Sequence, residues 1–254
     1  MSEALRAVWG EKRLWLLHVA ANAAWLALAY GWLWIPDERI WQLVVSFFSG
    51  VLLAAMALWL HGSTWVFFEQ VHAGWPMPVA TPFRGPLHRV PPLILWGLLV
   101  LVLFCGVGFV ADYVPLAADW LASALTLMFR KPVSPEYTLK FLSSLAWVLE
   151  WILLPLWLLP LGMEVALNGF AGLRWRNLGR TWKVFRQACY WVAYLVLFAV
   201  GIYLPAQLVN WIPEVESFGG QAASLAARFI AAYLLFVTAW LLLASLLARL
   251  RSSK

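Results

Sequence analysis

His18 and Asn22 lie four residues apart in an apolar run, so a helix puts both on one face. His61, with Ser63 and Thr64 just after it, interrupts a second apolar run. Glu164 and Asn168, again four apart, close a third run, LEWILLPLWLLPLGMEVALNG at 149–169. Several chemistries suit this group. His18, His61 and Glu164 are ligand types for a divalent metal such as zinc. His18 and His61 are also axial-ligand types for haem. Alternatively the group is a relay for protons or ions, or a set of polar contacts between helices. No HExxH or comparable metal motif accompanies them, so no cofactor is expected, with haem and a divalent metal as the alternatives.

The third run carries a second carboxylate, Glu150, and two prolines, Pro155 and Pro160. Glu150 and Glu164 are fourteen residues apart, about 21 Å along a helix, too far for shared acid–base work. Glu150 instead matches Arg228 in depth to within about two turns, which predicts an intramembrane ion pair. Each proline removes a helical hydrogen bond and crowds the carbonyl four residues earlier, at Trp151 and Leu156. A kink is expected there, and interrupted spans also mark transport sites. P-loop, GxSxG and GxGxxG signatures are missing.

These residues need elements to hold them. The chain has 254 residues, 64% apolar and 12% charged, where a soluble domain carries about 25% charged residues. Charge is confined to short clusters between apolar runs of about 20 residues, the length that crosses a bilayer core as a helix. This predicts an all-α integral membrane protein, a single polytopic domain of six transmembrane helices at approximately 14–34, 41–67, 93–111, 141–166, 189–211 and 222–247. The unbroken runs exclude a β-barrel. The first run continues past the small residues at 27–29, so it reads as an uncleaved anchor.

Thirteen of the 18 Lys and Arg residues fall at the two termini and in the loops after spans 2 and 4. Four fall in the other loops, and one is Arg228. This bias predicts a multi-pass protein of the inner (plasma) membrane with both termini cytoplasmic. The net charge of +6 is thus a topology and lipid signal, and nothing in it suggests nucleic acid. Cys105 and Cys189 form no CxxC and suggest no disulfide.

Three basic preambles each lead into a span that ends in an aromatic residue, a β-branched residue and proline: Trp34-Ile35-Pro36, Tyr113-Val114-Pro115 and Trp211-Ile212-Pro213. The pattern suggests three repeated helical hairpins, with short interfacial helices. One such helix is expected after span 3, begun or capped by Asp119. Another is expected after span 4, with Trp175, Leu178, Trp182 and Phe185 on its acyl-facing side. Its other side carries Arg176, Arg180 and Lys183, expected to bind anionic lipid headgroups. The loop after span 2 holds Pro76, Pro78, Pro82, Pro86, Pro91 and Pro92 and is expected to be extended, either a stiff connector or a docking strip for a protein partner. His72 and His88 are expected to be solvated there. Most of the 19 Trp residues suit the headgroup belt, whereas Trp25, Trp59, Trp157 and Trp240 lie deeper and suit packing between helices.

The leading expectation is a non-enzymatic subunit of a membrane complex or a transport-associated component. The alternatives are a small-solute, ion or proton transporter using spans 1, 2, 4 and 6, and a membrane enzyme or metal/haem-binding protein.

Overall fold

The computed structural model describes residues 2–75, 78–84, 89–214 and 217–252. All regular structure among them is helical. Six helical segments are long and apolar enough to cross a membrane: Lys12–Leu33, Ile40–His72, Val90–Ala111, Pro135–Leu173, Ala188–Asn210 and Phe218–Ser252. Each overlaps one predicted span. Backbone groups have no water to bond to in a bilayer, so these runs close their hydrogen bonds internally as helices.

In chain order the elements are α1 (Ser2–Gly10), α2 (Lys12–Leu33), α3 (Ile40–His72), the single turn α4 (Thr81–Arg84), α5 (Val90–Ala111), α6 (Val114–Phe129) and α7 (Pro135–Val148). A π-helical turn (Leu149–Leu153) joins α7 to α8 (Leu154–Asn168), and a 3-10 turn (Gly169–Leu173) ends that span. Then come α9 (Trp175–Phe185), α10 (Ala188–Phe198), a second π-helical turn (Ala199–Tyr203), α11 (Leu204–Asn210) and α12 (Phe218–Ser252). The chain divides into two compact units: Met1–Ile94 with Pro160–Lys254, and Leu95–Leu159.

In the first unit α12 is the hub. The helices α1, α2, α3, α9, α10 and α11 all pack on it. Half of its membrane window is buried, against 6% for α5 and at most 17% for the other spans. Indole donors tie α2 to its neighbours. Trp15 donates to Thr238 Oγ1 at 3.1 Å, Trp25 to the Leu53 carbonyl at 2.8 Å and Trp32 to the Ser46 carbonyl at 2.8 Å. Tryptophans 15 and 32, expected in the headgroup belt, are therefore also helix-to-helix fasteners. Of the deeper ones, Trp25 and Trp240 pack inside the unit, Trp59 meets Phe83 edge-on, and Trp157 is exposed.

In the second unit α6 and α7 form a hairpin. Ala118 and Ala122 are buried, and their small size lets the helices approach closely. Thr138 Oγ1 donates to the Ala118 carbonyl at 3.0 Å. The turn between them places Arg130 in the left-handed region (φ 53°). Ser134 caps α7 by accepting from the Glu136 N–H.

Four local expectations are corrected. Asp119 neither begins nor caps α6, which starts at Val114 with Pro115 in its first turn, where a missing N–H costs nothing. The proline-rich loop is not extended throughout. Pro82 sits in α4, buried, and Pro91 and Pro92 open α5 by the same first-turn logic. Pro76, Pro86 and His88 lie outside the described residues. His72 is the last residue of α3, with its Nε2 3.1 Å from Ser245 Oγ, not a solvated loop side chain. Finally, the three aromatic–branched–proline endings differ. Two follow the ends of α2 and α11, whereas Val114 and Pro115 start a new helix.

Candidate functional site

The first unit holds two polar layers. In the inner one His18, fully buried on α2, lies 2.7 Å through Nε2 from Thr64 Oγ1 on α3. The Thr64 hydroxyl has one proton, and it goes to the Leu60 carbonyl at 2.8 Å. Nε2–H of His18 is therefore the donor and Thr64 the acceptor. The other ring nitrogen, Nδ1, is then the acceptor and faces Asn22 Nδ2 at 3.4 Å, one turn on. The Asn22 amide also donates to the His18 carbonyl at 2.9 Å. His61 stands beside this pair, its ring 5.7 Å from that of His18 and edge-on to Trp240 at 4.9 Å. Its Nδ1 and the Trp240 Nε1 are buried without hydrogen-bond partners among the described residues.

The second layer lies at the end of the unit that carries both termini, where Glu3 of α1 pairs with Arg249 of α12 at 3.0 Å. Glu164 is 2% exposed. Arg251 grips it with two prongs, Nε to Oε1 at 2.6 Å and Nη2 to Oε2 at 3.3 Å. Asn168 adds a third donor to Oε2 at 2.7 Å. The remaining prong of Arg251, Nη1, bonds Glu69 Oε1 on α3. One guanidinium thus ties the ends of α3, α8 and α12. Planar forks of this kind match carboxylates in geometry as well as charge. Its location is affordable because α3 and α12 are overlong. Their 33 and 35 residues give about 50 Å against a core of about 30 Å, so their ends reach beyond the hydrocarbon.

The inner group expected from the sequence is thus split in two. His18, Asn22 and His61 share one layer. Glu164 and Asn168 share the other, joined there by Glu69 and Arg251. Among the described residues no three His, Cys, Asp or Glu side chains converge to hold a metal ion. In the tautomer that Thr64 sets, the His18 lone pair is on Nδ1 and faces Asn22 at 3.4 Å, while Nε2 carries the proton given to Thr64.

Arg228 of α12 donates to the carbonyls of Leu208, Val209 and Trp211, which end α11, and to that of Ser224. A cation at a helix C-terminus satisfies carbonyls that have no intrahelical donor. Glu150 belongs to the other unit. It is half-buried in the π-helical turn and has no hydrogen bond or ion pair within residues 95–159. The Glu150–Arg228 pair remains an expectation of the sequence.

That π-helical turn shows how Pro155 is accommodated. Leu154 N–H donates five residues back to the Leu149 carbonyl, widening the register just ahead of the proline. Neither Trp151 nor Leu156 is without a partner. Pro160 lies inside α8 with no such widening. Span 5 repeats the device: Leu204 N–H donates to the Ala199 carbonyl just before Pro205. There Gly201 lets the widened turn sit against α12, since a Cβ would come within 2.6 Å of the Ala239 methyl.

On α9 the protein-facing stripe is Thr181 and Val184. Trp182 stacks on Phe185 and is exposed with Trp175, while the Leu178 side chain lies outside the description. Arg176, Arg180 and Lys183 are all exposed, on a face of their own. Arg180 and Lys183 line a groove of about 680 Å³ that Arg251 also lines. A more apolar groove of about 780 Å³ lies between α2, α3 and the 78–84 segment.

The sequence reading missed Glu69, Arg251 and the π-helical turn before Pro205. A signal existed for each. The predicted spans stopped at 67 and 247, and Glu69 and Arg251 lie just past those limits on the same helices. Pro205 sits in an apolar run just as Pro155 does. No family model, curated protein or solved structure matches this chain.

Proposed function

We propose that this polytopic membrane protein is a non-enzymatic subunit of a membrane complex, held in an inner (plasma) membrane with both termini cytoplasmic. The observation that carries the reading is how most of its buried polar groups, His61 apart, are partnered. In the first unit His18, Thr64, Asn22, Glu164, Asn168 and Glu69 bond to one another or to Arg251. Only Arg251 among these groups lines either large groove. Polar residues that line a conduction path face water, whereas these close on themselves. Glu150 is different, a carboxylate without a partner in its own unit, on a span whose outer surface is mostly open. An intramembrane carboxylate is costly unless paired, so a basic residue of a partner helix is its natural complement. The proline-rich loop after span 2 offers a second contact on the cytoplasmic side.

The test is native mass spectrometry of gently extracted membranes. A particle reproducibly heavier than the 28.7 kDa chain is expected, and Glu150→Gln should release the added protein while leaving the chain folded. A bare chain in both cases would sink the proposal.

A transporter is the second reading, favoured by the two π-helical turns and by Glu150 inside one of them, since such turns gather at functional sites. Solute or proton flux through liposomes holding the purified chain alone, abolished by Glu150→Gln, would put that reading first.

A further inference from the structure

We propose that the groove between α9 and the last turn of α12 binds the phosphate headgroup of an anionic phospholipid. Three cations border it, Arg180, Lys183 and Arg251, with the polar side chains of Gln187 and Ser252 and a floor of Val184 and Leu250. Among the described residues no acidic side chain lines it. At about 680 Å³ the groove exceeds a phosphodiester headgroup, with room left for water.

The cations are available. No hydrogen bond or ion pair engages Arg180 or Lys183 among the described residues. Arg251 spends three N–H groups on Glu164 and Glu69, and a guanidinium has five, so two remain. Because two carboxylates already offset the Arg251 charge, Arg180 and Lys183 supply most of the attraction and Arg251 supplies direction. A free phosphate ion would satisfy the same donors. The lipid is favoured by what surrounds them. Trp175, Trp182 and Phe185 occupy a separate face of the same helix, and both tryptophans are exposed. Exposed indoles opposite a cationic stripe place a helix at the boundary of headgroups and acyl chains. A lipid bound there sets its phosphate among the cations and its chains on the aromatic side. This proposal is independent of the complex-subunit reading.

The experiment uses the purified full chain in neutral detergent, offered equal amounts of phosphatidylglycerol and phosphatidylcholine, with bound lipid read by native mass spectrometry. Retention of phosphatidylglycerol over phosphatidylcholine is expected. Arg180→Gln with Lys183→Gln should weaken it about thirtyfold, since each interfacial cation is worth somewhat less than a factor of ten. Arg176→Gln removes a cation of the same helix face that does not border the groove, and should change binding less than about threefold. Ser252→Trp keeps every charge and fills the groove mouth, and should also abolish retention. This variant decides the matter if the double variant fails to fold. An equal loss in Arg176→Gln, or unchanged binding in Ser252→Trp, would show a diffuse cationic surface and overturn the site. Displacement of the lipid by millimolar inorganic phosphate would overturn the lipid as its occupant.

Discussion

The Arg251 guanidinium bridges two carboxylates that come from helices 87 and 182 residues away in sequence. Glu164 is the more deeply held of them, with a side chain 3% exposed against 22% for Glu69. Removing one partner of a buried pair strands the other, at a cost of about 3 kcal/mol. Glu164→Gln is therefore expected to destabilise the chain by that order in reversible detergent–SDS unfolding. Glu69→Gln should cost within about 1 kcal/mol, because its pair is partly solvated. An equal effect of the two substitutions would contradict the assigned geometry. At His18 the one-proton argument fixes a tautomer. Nitrogen NMR should find Nε2 protonated and Nδ1 bare, and Thr64→Val should cost about 1–2 kcal/mol by orphaning that donor. The sequence made His18, Asn22, Glu164 and Asn168 conspicuous, because a polar residue in an apolar run has to be explained. It did not show who meets whom. Glu164 was grouped with the histidines because all three lay at similar depth, and depth along a span carries no information about which faces meet.

Among the helices, spans were readable because twenty apolar residues have no other stable fate in a bilayer. Their ends were less so. A hydropathy window closes at the first cluster of charges, whereas a helix continues as long as its backbone bonds can, and α3 and α12 run on to His72 and Ser252. The prolines were readable as kinks but not as π-helical turns, since widening depends on what the next helix allows. Gly201 is that allowance in span 5. Gly201→Val should force α10–α11 away from α12 and cost about 1–3 kcal/mol, in line with overpacking elsewhere. Gly106, on α5, has open space around its missing Cβ, so Gly106→Val should leave stability nearly unchanged. Thermal unfolding of the two variants side by side checks the contrast.

For the molecule as a whole, the Glu3–Arg249 pair and the seating of Ala4 against Ala193 and Leu246 put both ends of the chain together. Six crossings demand the same parity. In a background lacking the exposed Cys105 and Cys189, Glu3→Cys and Ser252→Cys should react with an impermeant maleimide from the same side of sealed vesicles. Reaction from opposite sides would break the six-span count. The Lys and Arg bias leads us to expect that side to be the cytoplasm, and the same labelling in oriented vesicles tests it.

The dependence of the first unit on α12 also has a consequence in time. A chain is made from its N-terminus, at about 5–20 residues per second. By the time the ribosome has added Phe218, α1, α2, α3, α10 and α11 exist without the helix they are to surround. Glu69 of α3 and Glu164 of α8 must wait for the guanidinium of Arg251, which arrives some 30 residues later, within seconds by that rate. During that interval the early spans are a loose assembly in lipid, open to insertases, to proteases, or to a partner subunit that arrives before the chain has closed on itself.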